Sequence, residues 1–212
     1  MIDGRPEIDV VTRSVGTAPA ETTVGRTITL SRPFAVPVSR LWSSCTSADE
    51  IGSWFLPVSG DLQLYGRYQL EGNAGGQITT CDPEREFTAT WEYDAESSSI
   101  DVSFASAGDG SVLTVQHDSE PSDEMWEQYG PGALGIGWDL TILGLANYLE
   151  TGEPVDPRET LDWTLSEAGH EFVGLAAAAW EAADIATGTP HKQAKAAAER
   201  SRTAYLALED ER

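Results

Sequence analysis

Few side chains in this sequence could carry chemistry: three histidines, His117, His170 and His191, and two cysteines, Cys45 and Cys81. His117 lies in the run SVLTVQHDS (111–119), where Leu113, Val115 and His117 share one side of the strand. Strand parity turns all three inward. An imidazole there can serve as general acid or base near neutral pH; the plainer reading is a core or rim histidine satisfied by one hydrogen bond. His170 and His191 sit far along the chain, and no spacing unites them with His117 as metal ligands. The cysteines fit no zinc, haem or CxxC pattern, so they are expected as free thiols, with no metal and no cofactor.

Three further groups have chemical potential. Tyr68, next to Arg67, offers a phenolic hydroxyl and is the second weak acid/base candidate. Asp139, after Trp138, can pair with an arginine or polarise a ligand at a cavity mouth, or simply face solvent from a helix. Gly130, Gly132 and Gly135 spell GxGxxG. No strand leads into them and Pro131 interrupts them, so they read as a glycine-rich helix start and not as a dinucleotide loop. GxSxG, HExxH and P-loop templates are missing.

The elements that must position these groups follow from periodicity. GRTITLSRPF (25–34) reads as a first strand, after an arm over residues 1–23 with neither helical nor strand period. Pro37 then starts a short helix bearing Val38, Leu41, Trp42 and Cys45. Ser47 and Glu50 offer a capping box for a second, which carries Ile51, Trp54 and Phe55 inward.

Residues 60–119 change to period two, with strands expected at 61–70, 75–81, 86–93, 98–105 and 111–118 between turns rich in Gly, Asn and Asp. Phe87, Ala89, Trp91 and Tyr93 share one face; Ile100, Val102 and Phe104 continue it. An acidic link leads to a helix at 133–149 with Leu134, Trp138, Ile142, Leu145 and Leu149 on one stripe. Two more helices follow. Thr164 and Glu167 can cap one over 165–187 that buries Phe172, Leu175, Ala176, Ala179 and Trp180. Gly188 stops it, and Thr189-Pro190 starts another over 190–208 presenting Ala194, Ala197, Ala198, Tyr205 and Leu208. Close alanine packing predicts a hairpin docked on the core, with a dimer contact as the alternative.

Composition narrows the classes. The chain has 212 residues, seven Trp, six Tyr and five Phe, enough aromatic area for one core with an appended piece. A net charge of −22, from 35 acidic and 13 basic residues, repels polyanions, which argues against nucleic acid and anionic membranes as partners. With no apolar leader and no run near the roughly 20 residues that span a bilayer, a cytoplasmic protein is expected.

The order strand, two short helices, meander and long helix resembles the helix-grip fold of the SRPBCC (START-like) superfamily, in particular its branch similar to the activator of heat-shock-protein ATPase homologue. The carriers are FAVPVSRLW (34–42), IGSWF (51–55), DLQLYGRYQLEGNAGGQI (61–78), CDPEREFTATWEY (81–93), SVLTVQHDS (111–119) and GWDLTILGLANYL (137–149). The resemblance implies an α+β fold in which a curved antiparallel sheet wraps a long helix, over residues 24–150. Residues 151–212 fall outside it, as a helical extension similar to one in some bacterial members. Chaperone stimulation is not implied, since the eukaryotic activators also use a separate N-terminal domain with no counterpart here.

The expected function is binding of a small hydrophobic or aromatic ligand between the sheet and the 133–149 helix. The wall is drawn from Trp54, Phe55, Tyr68, Ile78, Trp91, Tyr93, Val102, Phe104, Val115, His117, Trp138 and Ile142. Two alternatives stand beside it: a cyclase-like enzyme using His117, and a co-chaperone-like or regulatory interaction module whose C-terminal helices contact a second copy or another protein.

Overall fold

A computed structural model describes residues 4–18, 25–94 and 96–210. In chain order its elements are α1 (Gly4–Asp9), β1 (Thr12–Ala18), β2 (Gly25–Phe34), α2 (Val38–Thr46), α3 (Ala48–Trp54) and β3 (Val58–Gly60). Then come β4 (Arg67–Leu70), β5 (Gly75–Asp82), β6 (Glu86–Tyr93), β7 (Glu96–Ala107) and β8 (Gly110–Ser119). The helices α4 (Asp123–Tyr129), α5 (Gly132–Thr151), α6 (Pro157–Thr164), α7 (Glu167–Ala186) and α8 (His191–Asp210) complete it. The strands form one antiparallel sheet in the order β1-β2-β8-β7-β6-β5-β4-β3, and α5 lies across it. This is the α+β helix-grip architecture, with α7 and α8 added as an antiparallel pair on the outer side of α5.

The alternation that marks β6, β7 and β8 survives as register. Ala89 pairs with Ile100, Ile100 with His117 and Val102 with Val115, so one face carries a continuous apolar patch. A register shift between Ile78 and Thr80 bends β5. The expected single strand over 61–70 is instead broken. A Cβ on Gly60 (φ +100) would sit 2.2 Å from the Arg67 oxygen, one on Gly66 would sit 2.3 Å from the Asp61 oxygen, and Tyr65 adopts φ 68. Backbone that folds on itself this tightly cannot stay extended, so β3 and β4 form a hairpin around it.

The expected arm also differs where it is described. Ile8 and Val11 are buried, and β1 pairs with β2 along its length, from Thr12 opposite Ser31 to Ala18 opposite Gly25. The strand period is hidden because Arg13 occupies an inward position between Val11 and Val15, and a charged residue there breaks the apolar alternation. Residues 1–3 and 19–23 of that arm lie outside the described residues.

Two capping expectations change as well. The Ser47 side chain makes no cap bond, because Glu50 turns instead to Arg40, to Ser44 Oγ at 3.2 Å and to Tyr148 Oη at 3.2 Å, tying α2 and α3 to α5. At α7 the cap is Ser166, whose Oγ accepts from Gly169 N, in place of Thr164. The helices α4 and α6 are additions to the sequence reading. α4 stands in the acidic link, where Ser122 caps it through Met125 N and Arg200 of α8 donates to the Glu127 carbonyl at 3.0 Å.

α5 is covered on both sides. Its stripe facing the sheet is the predicted one, while Ile136, Asp139, Leu143 and Ala146 are buried on other faces. From α7 the buried residues include Phe172, Val173, Ala176, Ala177, Trp180, Ala183 and Asp184; Leu175 and Ala179 are only half-buried. Ala194, Ala197 and Ala198 of α8 are buried, Tyr205 is half-buried, and the Leu208 side chain lies outside the described residues. The glycines of the false dinucleotide motif explain how α7 and α8 come so close. A Cβ on Gly135 would lie 2.2 Å from the Trp180 ring, and one on Gly132 would lie 3.0 Å from Ser201 Cβ.

Asp139 is the polar centre of this packing. At 2% exposure it receives Arg13 Nη2 at 2.7 Å, Arg13 Nε at 3.2 Å on both oxygens, and Trp180 Nε1 at 2.9 Å. Arg13 also donates to the Ile8 and Val11 carbonyls, so β1, α5 and α7 meet at one ion pair. Burial raises the carboxyl's pKa, while Arg13 and Trp180 pull it back down. The guanidinium and the indole N–H take the place of water around the buried carboxyl.

Two substitutions test this layer by urea denaturation. Arg13→Met leaves a buried carboxylate unpaired and is expected to cost about 3–5 kcal/mol. Gly135→Ala drives a methyl into the immobile Trp180 ring and is expected to cost about 3 kcal/mol.

Candidate ligand cavity

The concave face of the sheet, α2, α3 and α5 frame a partly open cavity of about 150 Å³. Parity puts Ala89 and Trp91 of β6, Ile100 and Val102 of β7, and Leu113 and Val115 of β8 in its floor. α5 supplies Trp138, Thr141, Ile142 and Leu145 from one stripe. The short helices close the side with Trp42, Cys45, Thr46, Ile51 and Trp54, followed by Phe55. Trp54 and Phe55 stack with centroids 5.7 Å apart.

Of the residues expected in the wall, Trp54, Phe55, Tyr68, Ile78, Trp91, Val102, Val115, Trp138 and Ile142 come together there. Three stand elsewhere. Phe104 is buried behind Trp42, edge-on at 5.1 Å. Tyr93 is the last residue of β6 and is 53% exposed, although it shares the parity of Ala89 and Trp91. His117 is 2% exposed but lies behind Trp91 and Trp138, with ring centroids 6.1 and 6.0 Å away.

The α2 residues Trp42 and Cys45 carried a usable signal, their helical spacing. Which side of a short helix meets the cavity is decided only by its docking. Leu62, Leu70 and Cys81 also reach the wall. Leu62 lies in the tight turn that replaces the expected strand, where strand parity gives no guide.

The polar atoms in this wall are largely committed to the protein. Trp54 Nε1 donates to the Ser44 carbonyl at 2.8 Å, Tyr68 Oη to the Thr90 carbonyl at 2.8 Å and Trp138 Nε1 to His117 Nδ1 at 3.0 Å. Thr46 and Thr141 bond back to the carbonyls of Trp42 and Gly137, each at 2.8 Å. No carboxylate, amine, guanidinium or imidazole lines the cavity among the described residues. Burial, aided by Glu50, pushes the Cys45 thiol up to about 12, and burial with Glu92 nearby pushes the Tyr68 phenol up to about 12. Both keep their protons at neutral pH.

His117 is equally committed. Nδ1 accepts from Trp138, and Nε2 lies 2.8 Å from Ser98 Oγ. Burial lowers its pKa from 6.5 to about 4 against a small opposing pull from Asp118. The site can exclude water and pack an apolar molecule; it presents no poised acid or base. Asp139 faces away from the cavity, toward Arg13 and Trp180. His170 and His191 are exposed on α7 and α8, no group of three or more potential metal ligands occurs among the described residues, and no described helix is long and apolar enough to cross a membrane.

The chain matches, over residues 35–150, the sequence model of a family described as Activator of Hsp90 ATPase homolog 1-like protein. No curated protein matches it. Among solved structures, the solution structure of CalU16 from Micromonospora echinospora is 26% identical, with a TM-score of 0.67, covering 85% of this chain and 97% of that one. An Hsp90 activator from Plasmodium falciparum is 20% identical, TM-score 0.50, over 60% of this chain and 97% of its own. The Aha1 dimer from Colwellia psychrerythraea is 14% identical, TM-score 0.50, over 59% and 97%. The last two share the fold.

The buried histidine makes stability depend on pH. The folded ring resists protonation more than the unfolded one, so the stabilisation is complete above 6.5 and is lost as pH falls toward about 4. Relative to His117→Gln, the wild type should lose about 2 kcal/mol between about pH 7 and about pH 5, measured by urea denaturation.

Proposed function

The chain belongs to the Activator of Hsp90 ATPase homolog 1-like family, and from that premise we propose that it binds a small uncharged apolar or aromatic molecule between its sheet and α5. One observation carries the reading: a cavity of about 150 Å³ with an almost wholly apolar wall in the middle of an otherwise well-packed core. An apolar cavity of about this size has room for a benzene-sized guest, which restores dispersion contacts that the empty wall lacks. Charged ligands are disfavoured, since they would lose hydration and find no counter-charge in the wall.

A cyclase-like reaction using His117 finds no support in this geometry, because both ring nitrogens are held by the protein and the ring lies behind the wall. The interaction-module reading draws on relatives described as an Hsp90 activator and as a dimer, both of which share only the fold. The residues 24–150 are proposed as the ligand-binding unit and 151–212 as a buttress. Arg13, Asp139 and Trp180 bond the two parts together, which favours a structural role for the extension over a free docking arm.

Titration of ¹⁵N-labelled protein with toluene and with benzoate tests the assignment. Saturable shifts at Trp91, Trp138 and Ile142 with toluene and none with benzoate are expected. Thr141→Leu, which adds bulk to the wall and sacrifices only an intrahelical bond, should abolish the toluene shifts while leaving the fold intact. Toluene shifts that persist unchanged in Thr141→Leu, or no binding by the wild type, would sink the reading.

A further inference from the structure

We propose that His117 is a positioning residue that fixes Trp91 and Trp138 as a rigid wedge at one end of the cavity and so sets its preference for flat over puckered guests. The inference rests on the ligand-binding reading above. Its basis is a hydrogen-bond chain in which every proton has only one direction to go. An indole N–H can only donate, so His117 Nδ1 must accept from Trp138, at 3.0 Å. The ring proton therefore sits on Nε2 and donates to Ser98 Oγ at 2.8 Å. That hydroxyl in turn donates to the Trp91 carbonyl at 3.0 Å.

The chain thus starts on α5, crosses β8 and β7, and ends on the backbone of β6, whose side chain at that same residue is the second indole. The two indoles are 5.3 Å apart at 47°, and each packs against the imidazole they share. Both line the cavity, whereas His117 and Ser98 do not. A phenyl ring in place of the imidazole would fill the space but leave the Trp138 N–H without an acceptor, and a half-buried indole so released would turn toward another partner. A Gln can reproduce the relay, its oxygen accepting from Trp138 and its amide donating to Ser98. A planar guest lies against fixed indole faces along its whole surface; a puckered one touches them at fewer atoms.

The experiment compares toluene with methylcyclohexane, equal in carbon count, binding to wild type, His117→Gln, His117→Phe and Ser98→Ala at neutral pH. Hydrogen exchange of the Trp138 indole N–H is followed in the ligand-free proteins. A toluene preference of about tenfold is expected in wild type and His117→Gln, falling to near parity in His117→Phe, with Ser98→Ala between them. Indole protection should be kept in the Gln variant and lost in the Phe variant. If His117→Phe does not fold, Ser98→Ala decides, since it keeps the imidazole and its bond to Trp138 and removes only the hydroxyl that links Nε2 to the Trp91 backbone. An unchanged ratio and unchanged protection in the folded variants overturn the proposal. So does a Gln variant that behaves like Phe, which would make packing and not the relay responsible. Failure of wild type to bind either guest overturns the ligand reading. Indole protection still tests the relay in that event: retained in Phe, it overturns the relay too.

Discussion

A carboxylate in the middle of a hydrophobic helix must be neutralised or the helix cannot be buried, and this constraint organises the protein. Asp139 lies on α5, whose opposite face closes the cavity. Arg13 from β1 supplies the counter-charge and Trp180 from α7 supplies another donor, so an N-terminal strand and a C-terminal helix are both bound to the helix at the centre of the grip. The ion pair adds specificity of docking more than net stability, since two desolvated charges repay little beyond their own burial. Gly135 makes the same docking sterically feasible by leaving room for the Trp180 ring. Charge and shape complementarity therefore converge on one contact.

Holding α5 from outside has a consequence inside. The helix presents Trp138, Thr141, Ile142 and Leu145 to the sheet, and across the cavity β5 changes register next to Ile78, another residue of the wall. The side chains between them do not fill the gap. What remains is an apolar space with most of the polar atoms of its wall already satisfied. The histidine nearest this space belongs to its framework, joining helix to sheet through a neutral imidazole.

Legibility in the sequence followed the strength of each local period. β6, β7 and β8 were readable because inward residues recur at every second position, from Phe87 to Tyr93, Ile100 to Phe104 and Leu113 to His117, and the register preserved that parity. β1 was not, because its central inward residue is Arg13, and a charge at a buried position looks identical to a charge at an exposed one. The turn at 61–66 was hidden for a related reason: Leu62, Leu64 and Tyr68 mimic strand alternation, while close backbone approaches at Gly60 and Gly66 depend on strands brought together only in the fold. Ser47 and Glu50 had the spacing of a capping box, but Arg40 and Tyr148 offered the carboxylate a better environment.

By itself the sequence determined the architecture, because periodicity, turn chemistry and the resemblance carried by residues 34–149 are properties of neighbouring positions. It also determined which faces are apolar, and hence most of the cavity wall. The tertiary structure decided what the ionisable residues do. Parity turned His117 inward, yet only the packing of Trp91 and Trp138 places it behind the wall with both nitrogens engaged. Asp139 had a surface, a cavity mouth and an arginine open to it, and the arginine that claimed it stands 126 positions away. Protonation and pairing depend on which groups approach within a few ångströms, and that proximity is set by the folding of distant segments onto one another and not by their spacing along the chain.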